Sequence, residues 1–242
     1  NIPILQNQEF ESVGKEYKVH GQDAAINLGL QLVSDSLKKN RIIEWENHIN
    51  LNQGCSIFCY RGGLRSKLAQ EWLLEKKIKV DRISGGYKKV RNKILEQYSD
   101  NEIYKKKWFI LGGLTGSGKT VLLNNFQQAI DIEAIANHRG SAFGRTNTAQ
   151  PSCANFENIL AFHYMNNRCS NILLEDESKT IGKATLPKNW YDKMQTSDLI
   201  VMDIKIEERV HNIVNEYITL ALDQIKTPSL LRDNYLTALE KI

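Results

Sequence analysis

Residues 56–59 (SIFC) form an apolar run of strand length that stops at YRGGLR. The following SKLAQEWLLEKK places Leu68, Trp72 and Leu73 at helical spacing. A second short strand is predicted around Val80–Ile83, then Gly85-Gly86, then a helical stretch YKKVRNKILEQ. Strand, loop, helix, strand, glycine pair and helix in that order predict an α/β unit with parallel pairing. Residues 98–107 (YSDNEIYKKK) are polar, break the periodicity and read as a linker between two domains.

The pattern restarts with WFIL at 108–111, which runs directly into GGLTGSGKT and a helix. Two more apolar runs end in acids, NILLEDE at 171–177 and DLIVMD at 198–203. Strands alternating with helices predict a second α/β unit. From Glu207 to Ile225 the apolar residues return at helical spacing, which predicts a surface-packed helix. No internal repeat or low-complexity tract is visible.

A length of 242 residues accommodates one large or two small domains. With 41% hydrophobic and 25% charged residues, disorder, collagen and coiled coil are poor readings. No apolar run approaches the roughly 20 residues that span a bilayer, and no signal-peptide pattern opens the chain. Cysteines at 55, 59, 153 and 169 are too irregular for a disulfide framework, so a reducing cytoplasm is expected. Net charge is 32 − 28 = +4, which permits an anionic partner such as nucleic acid without requiring one. The first residue is Asn1 rather than methionine, so the chain reads as a fragment of something longer.

Residues 113–120, GLTGSGKT, satisfy G-x-x-x-x-G-K-[ST] between a strand and a helix. Gly113, Gly116 and Gly118 let backbone N–H groups turn inward around a phosphate, with Ser117 among them. Lys119 supplies a point charge and the helix start adds partial positive charge. Thr120 is positioned to hold Mg2+ if a nucleotide binds. A Gly-rich turn without a ligand is the plainer alternative. A nucleoside triphosphatase also needs an acid ending a neighbouring strand, for which Asp176 and Asp203 both qualify. Asp176 is the stronger candidate, since Glu175, Asp176 and Glu177 cluster just before Ser178-Lys179, as if facing a cation or a basic partner.

The loop Cys59-Tyr-Arg61-Gly-Gly-Leu-Arg65-Ser66 also ends a strand and opens a helix. Backbone amides converge on the sulfur there and the helix dipole favours the thiolate. Arg61 and Arg65 can each grip a tetrahedral oxyanion through paired hydrogen bonds. A buried structural cysteine beside a glycine turn is the bland reading. Cys55 lies on the same strand face as Cys59 by the period of two, as a resolving partner or a small buried hydrophobe. Cys153 and Cys169 lack metal-ligand spacing, and no metal-ligating set is assigned.

CYRGGLRS with the later SGGYKKVR resembles the active-site strand, loop and helix of rhodaneses. Joined in one chain to GLTGSGKT, it is similar to the bacterial tRNA 2-selenouridine synthase family, as are ANHRGSAFG at 136–144, LEDESKTIG at 174–182 and EERVHNIVNEY at 207–217. The resemblance implies a rhodanese-like α/β domain over 1–100 and a P-loop NTPase-like parallel-sheet α/β domain over 105–242. No Asp-Val-Arg strand or Gly-His stretch precedes residue 20, and the family's second domain usually continues past residue 242. The chain is therefore expected to be trimmed at both ends, its rhodanese-like domain lacking a first strand.

For activity, the resemblance implies a transferase working on the wobble uridine of tRNA, with the thiolated Lys, Glu and Gln acceptors as substrates. A 2-thiouridine sulfur is alkylated by geranyl diphosphate, and the S-geranyl group is displaced using selenophosphate. In that scheme Cys59, Arg61, Arg65 and Lys119 are catalytic, Lys119 with Gly116 and Gly118 stabilising the departing diphosphate. Five residues separate Cys59 from Arg65, one more than in many sulfur-transferring rhodaneses, which makes a wider cradle. His138, Arg139 and Ser141 are taken as a loop near the phosphate site, with Glu175, Asp176 and Ser178 beside substrate or a cation. Mg2+ is a candidate cofactor and a selenophosphate-producing enzyme a candidate partner. The basic residues Lys88, Lys89, Arg91, Lys93 and Lys105–Lys107 are either a solvated face or a track for the tRNA backbone. A P-loop kinase or ATPase with a regulatory rhodanese module is the runner-up. A phosphatase, from the Cys-x5-Arg spacing, is third and lacks an evident general acid.

Overall fold

The computed structural model describes residues 2–52, 54–138 and 148–219, together with Arg232 and Leu236. The chain divides into two compact units, residues 1–92 and 93–242.

In the first unit, α1 (Asn7–Leu32) kinks at Gly21, whose φ of +86° breaks the helical run, and α2 (Asp35–Leu51) follows. Strand β1 (Ser56–Ile57) leads through the cysteine loop to α3 (Leu64–Glu75), and β2 (Asp81–Arg82) to α4 (Gly86–Glu96). β1 and β2 pair in parallel, Ser56 opposite Asp81, as the strand–helix–strand pattern required. β1 is shorter than the apolar run that predicted it, so Cys59 stands in the loop beyond the ladder. Val33, Ile42, Trp45, Ala69, Trp72 and Leu73 make the core, with the Trp45 and Trp72 rings stacked 6.2 Å apart. The sequence pattern did not reveal α1, and its burial explains why: only Ala25 of α1 is buried, so the helix carries no wide apolar stripe.

The second unit contains α5 (Asp100–Ile103), β3 (Lys107–Gly113), α6 (Lys119–Leu123), β4 (Ala129–Ile130), α7 (Ile132–Ala136) and α8 (Cys153–Asn166). β5 (Asn171–Glu175), the hairpin strands β6 (Thr180–Ile181) and β7 (Ala184–Thr185), α9 (Lys188–Gln195), β8 (Asp198–Met202) and α10 (Ile206–Val214) complete it. Its main sheet has the order β4-β5-β3-β8, with every pair parallel. All three predicted strands are present. β3 lies between β5 and β8, with Leu111 opposite Glu175 and Gly113 opposite Met202, so the loop leaving β3 emerges between the ends of its two neighbours. In an open parallel sheet this C-terminal edge is where ligands bind.

The stretch 98–107 is not a linker. Tyr98 and Ile103 are buried in the second unit's core, where Tyr98 meets Trp190 edge-on at 5.9 Å and Trp190 packs on Trp108 at 4.6 Å. Two apolar anchors among eight polar neighbours were enough to fix the segment, though too few to show periodicity. The expected helix from Glu207 to Ile225 is α10 followed by a π-helical turn, Asn215–Thr219; its remainder lies outside the described residues. Among the described residues, no helix is long and apolar enough to cross a membrane.

Candidate functional site

The phosphate loop spans the gap between Gly113, which ends β3, and Lys119, which opens α6. Gly116 has φ +80°, and a Cβ there would lie 2.5 Å from the Arg209 carbonyl oxygen and 2.7 Å from Ile213 Cγ1. Only glycine allows the loop to press this closely on α10. α10 in turn grips the loop from behind: Arg209 Nε donates to the Thr115 carbonyl at 3.1 Å and Asn212 Nδ2 to the Gly116 carbonyl at 2.8 Å. Since C=O and N–H of a peptide point oppositely, the Gly116 N–H faces away from α10. Ser117 is only 3% exposed and its hydroxyl has no partner among the described residues. Lys119 Nζ folds back to donate to the Gly113 carbonyl at 2.7 Å, which keeps the ammonium at the loop. The sequence reading gave Arg209 and Asn212 no role; the EERVHNIVNEY stretch held them, but only the fold brings that stretch to the loop.

Thr120 Oγ1 donates to Glu175 Oε1 at 3.0 Å. Of the two strand-end acids favoured from sequence, neither serves this hydroxyl: Asp176 is exposed, its N–H donating to the Leu111 carbonyl, and Asp203 is exposed beyond β8. The reason is register, because Glu175 is the last residue of the β5 ladder and Asp176 is already past it. Ser178 is likewise exposed. Glu175 is 1% exposed and its Oε2 has no partner among the described residues. Burial, with the charges of Asp131 and Glu133, pushes its carboxyl up to about 8, against the opposing Thr120 hydrogen bond. Burial and Glu133 push Glu177 up to about 8 as well, while Lys119 opposes the shift. Carboxylate oxygens of Glu133, Glu175 and Glu177 lie within 4.8 Å of one another. Glu133 was not foreseen, because an acid in the first turn of a helix is ordinary. His138 donates its backbone N–H to the Glu133 carbonyl at 3.0 Å and its ring edge abuts Gly182. Arg139 and Ser141 lie outside the described residues.

In the first unit, Cys59 Sγ lies 3.3 Å from Ser66 Oγ, a hydroxyl on a residue 3% exposed. Desolvation pushes the thiol up, but hydrogen bonds from the Ser66 side chain and from backbone groups of Ser66, Gly63 and Arg61 outweigh it, and the net shift is downward. The loop rests directly on the Gly85-Gly86 pair: Gly86 has φ +58°, and a Cβ there would sit 2.0 Å from the Cys59 carbonyl oxygen and 2.2 Å from Gly62 N. Tyr87 and Lys88 donate their N–H groups to the Cys59 and Tyr60 carbonyls, both at 3.0 Å. Arg82 Nη1 donates to the Gly62 carbonyl at 2.6 Å. Arg61 is exposed, and the Arg65 guanidinium lies over the Phe10 ring at 5.2 Å. Cys55 and Cys59 both line a groove with Ile4, Trp45, Ile49 and Arg65, and all four cysteines are free thiols.

This geometry predicts a pH dependence. Because the thiolate is favoured, alkylation of Cys59 by iodoacetamide reaches half its maximal rate at a lower pH than that of an unperturbed thiol. In Ser66→Ala that midpoint moves upward, and in Ser66→Thr it moves back. Peptide mapping by mass spectrometry reads Cys59 separately from the other three; an unchanged midpoint in Ser66→Ala would contradict the role of the hydroxyl.

The basic stretch after residue 86 is mostly solvent-facing, with three of its lysines in exposed surface ion pairs and Lys106 drawn into the fold. Lys93 pairs with Glu96 at 2.8 Å, Lys105 with Glu102 at 2.7 Å and Lys107 with Asp198 at 2.8 Å. Lys106 donates to the Tyr164 and Asn167 carbonyls, and its ammonium stands 4.8 Å from the Tyr164 ring centroid. Lys88 and Lys89 are exposed, with no ion pair among the described residues.

Residues 106–242 match the family model described as the tRNA 2-selenouridine synthase AAA domain. The tRNA 2-selenouridine synthase of Shewanella pealeana is 42% identical over 221 residues, covering 90% of this chain and 60% of the relative. That of Sulfurovum sp. is 38% identical over 229 residues, covering 93% of this chain and 63% of the relative. The chain thus spans about 60% of the length of the curated relatives it matches. No solved structure is matched.

Proposed function

This chain belongs to the tRNA 2-selenouridine synthase family, and we propose that it takes part in converting wobble 2-thiouridine of tRNA to 2-selenouridine through an S-geranyl intermediate. In the first step the thiouridine sulfur bonds to C1 of geranyl diphosphate, the C–O bond breaks and diphosphate leaves. Negative charge grows on the leaving oxygens. Lys119 Nζ and the Gly116 N–H form a cradle suited to that charge, prepared in advance by Arg209 and Asn212. In the second step the P–Se bond of selenophosphate breaks, selenium adds at C2 of the base, geranyl thiol departs, and water carries the phosphoryl group off as phosphate. The first unit, read as a rhodanese-like domain, supplies Cys59 as the nucleophile that takes the phosphoryl group from selenium before water releases it as phosphate. Arg61 and Arg65 bind the phosphoryl group, which requires Arg65 to leave the Phe10 ring.

The observation that carries this reading is the phosphate loop of residues 113–120, formed and braced by α10. Thiolated tRNAs for Lys, Glu and Gln are the proposed substrates, Lys88 and Lys89 are proposed backbone contacts, and an enzyme that makes selenophosphate is the proposed supplier in the cytoplasm. Mg2+ is proposed as an aid to the diphosphate at Thr120. The Thr120–Glu175 bond favours one other reading, a kinase or ATPase, since phosphate-loop hydroxyls pair with a strand-end acid in nucleotide sites.

The test is incubation of the protein with 2-thiouridine tRNA, geranyl diphosphate and selenophosphate, followed by weighing the nucleosides. The expected products are S-geranyl-2-thiouridine without selenophosphate and 2-selenouridine with it. Unchanged 2-thiouridine, together with Mg-ATP turnover that Glu175→Gln abolishes, would replace the proposal with the second reading.

A further inference from the structure

All four tryptophans are buried, Trp45 and Trp72 in the first unit's core and Trp108 and Trp190 in the second's, so none offers a ring to a ligand. Two tyrosines beside Cys59 are differently placed. Tyr60 follows the cysteine directly and is 57% exposed, and its ring lies 6.0 Å from that of Tyr87, tilted by 31°. Both are fixed relative to the sulfur, because the Tyr87 N–H donates to the Cys59 carbonyl and the Lys88 N–H to the Tyr60 carbonyl. Tyr60 and Tyr87 line one groove with Cys59, Arg65 and Ser66. The charge that the loop and its floor contribute has a single sign. Residues 55–67, which carry β1, the cysteine loop and the start of α3, hold three lysines and arginines and no aspartate or glutamate. Residues 82–92, which carry the floor and Tyr87, hold four and again no acid. Arg61, Lys88 and Lys89 are exposed. Exposed rings among cations are the composition of a site for single-stranded nucleic acid, where rings stack on bases and cations meet phosphates.

We infer that Tyr60, backed by Tyr87, is the stacking platform for the wobble base, held out of the anticodon loop beside Cys59. This rests on the proposed selenium transfer and deepens it, since selenium released at Cys59 has to reach C2 of that base. Two successive stacking steps need about 7 Å, more than the 6.0 Å between the rings. The base therefore lies on the outer face of Tyr60 and not between the two tyrosines. Arg61, Lys88 and Lys89 meet the phosphates on either side of the extruded nucleotide. Stacking tolerates any base, because every base has a π face. The platform thus supplies affinity and position for an unpaired base, and the choice of tRNA falls to other contacts.

The probes are two fluorescently labelled anticodon stem-loop RNAs, one with S-geranyl-2-thiouridine at the wobble position and one abasic there. Anisotropy titration with the protein gives a dissociation constant for each. Tyr60→Ala is expected to weaken binding of the first RNA about tenfold or more, while the abasic RNA stays within about twofold. Tyr87→Ala acts in the same direction, and Tyr60→Phe keeps the wild-type affinity. Tyr17→Ala changes neither constant, although Tyr17 is also 57% exposed, because it stands on α1 outside the groove. Lys89→Ala weakens both RNAs alike and lowers the salt dependence of binding, as loss of a phosphate contact does. Circular dichroism verifies each variant as folded. Equal losses on the two RNAs in Tyr60→Ala would overturn the platform, as would unchanged affinity or no binding by the wild-type protein. Formation of 2-selenouridine is followed separately. Affinity that depends on Tyr60 and on the base, without conversion of the base, would remove the proposed reaction and keep the platform. Normal conversion with no dependence on Tyr60 would do the reverse.

Discussion

Lys119→Ala is expected to lower geranyl transfer to thiolated tRNA by about 100- to 1,000-fold, the usual consequence of removing one preorganised group that faces developing charge. The ammonium stands at the loop mouth through its bond to the Gly113 carbonyl, 2.7 Å away, and it is the loop's own cation. Its removal leaves the backbone turns in place, because those depend on Gly116 and on the hydrogen bonds from Arg209 and Asn212. The loss therefore falls on the rate of transfer at saturating geranyl diphosphate, with the folded state retained. Single-turnover assays with mass analysis of the nucleoside read this directly. Transfer within a few-fold of wild type would show that the loop does not serve the diphosphate. Selenium incorporation into a tRNA supplied already geranylated is expected to survive in this variant, since no diphosphate leaves in that step.

The converse is expected for Cys59→Ser. Selenium incorporation falls to background while geranylation stays within about twofold of wild type, since a serine hydroxyl ionises far less readily than a thiol and is a much weaker nucleophile. The substitution is nearly isosteric in a loop held by Gly86, Arg82 and the N–H groups of Tyr87 and Lys88, so the loop is retained. The thiol is already biased toward thiolate by Ser66, whose hydroxyl lies 3.3 Å from the sulfur. The S-geranyl nucleoside should therefore accumulate when Cys59→Ser is given all three substrates. Normal yields of 2-selenouridine would remove Cys59 from the mechanism.

The two loops were legible as backbone shapes because each is written in contiguous residues. Glycines, a lysine and a cysteine at fixed offsets state a local backbone shape, and the strands on which both loops stand are present in the fold: WFIL lies within β3 and SIFC contains β1. Glu175 shows where such reading stops. Both Glu175 and Asp176 follow the same apolar run, and only pairing with β3, Leu111 opposite Glu175, decides which of them reaches Thr120. Lys106 makes a similar point. Within YKKKW it looked like one of a solvated run, yet it spends its ammonium on the carbonyls of Tyr164 and Asn167, about sixty residues away in sequence.

Taken alone, the sequence determined the strands β1, β3, β5 and β8, their parallel pairing, and the place of the cysteine and phosphate loops between strand and helix, because periodicity and turn chemistry act over a few neighbouring residues. Tertiary structure alone decided that α10 braces the phosphate loop, that Gly85-Gly86 is the floor of the cysteine loop, and that Glu133 joins Glu175 and Glu177. Each of those is a meeting of distant segments. Packing and strand register set such meetings, and neither leaves a mark in the local order of residues.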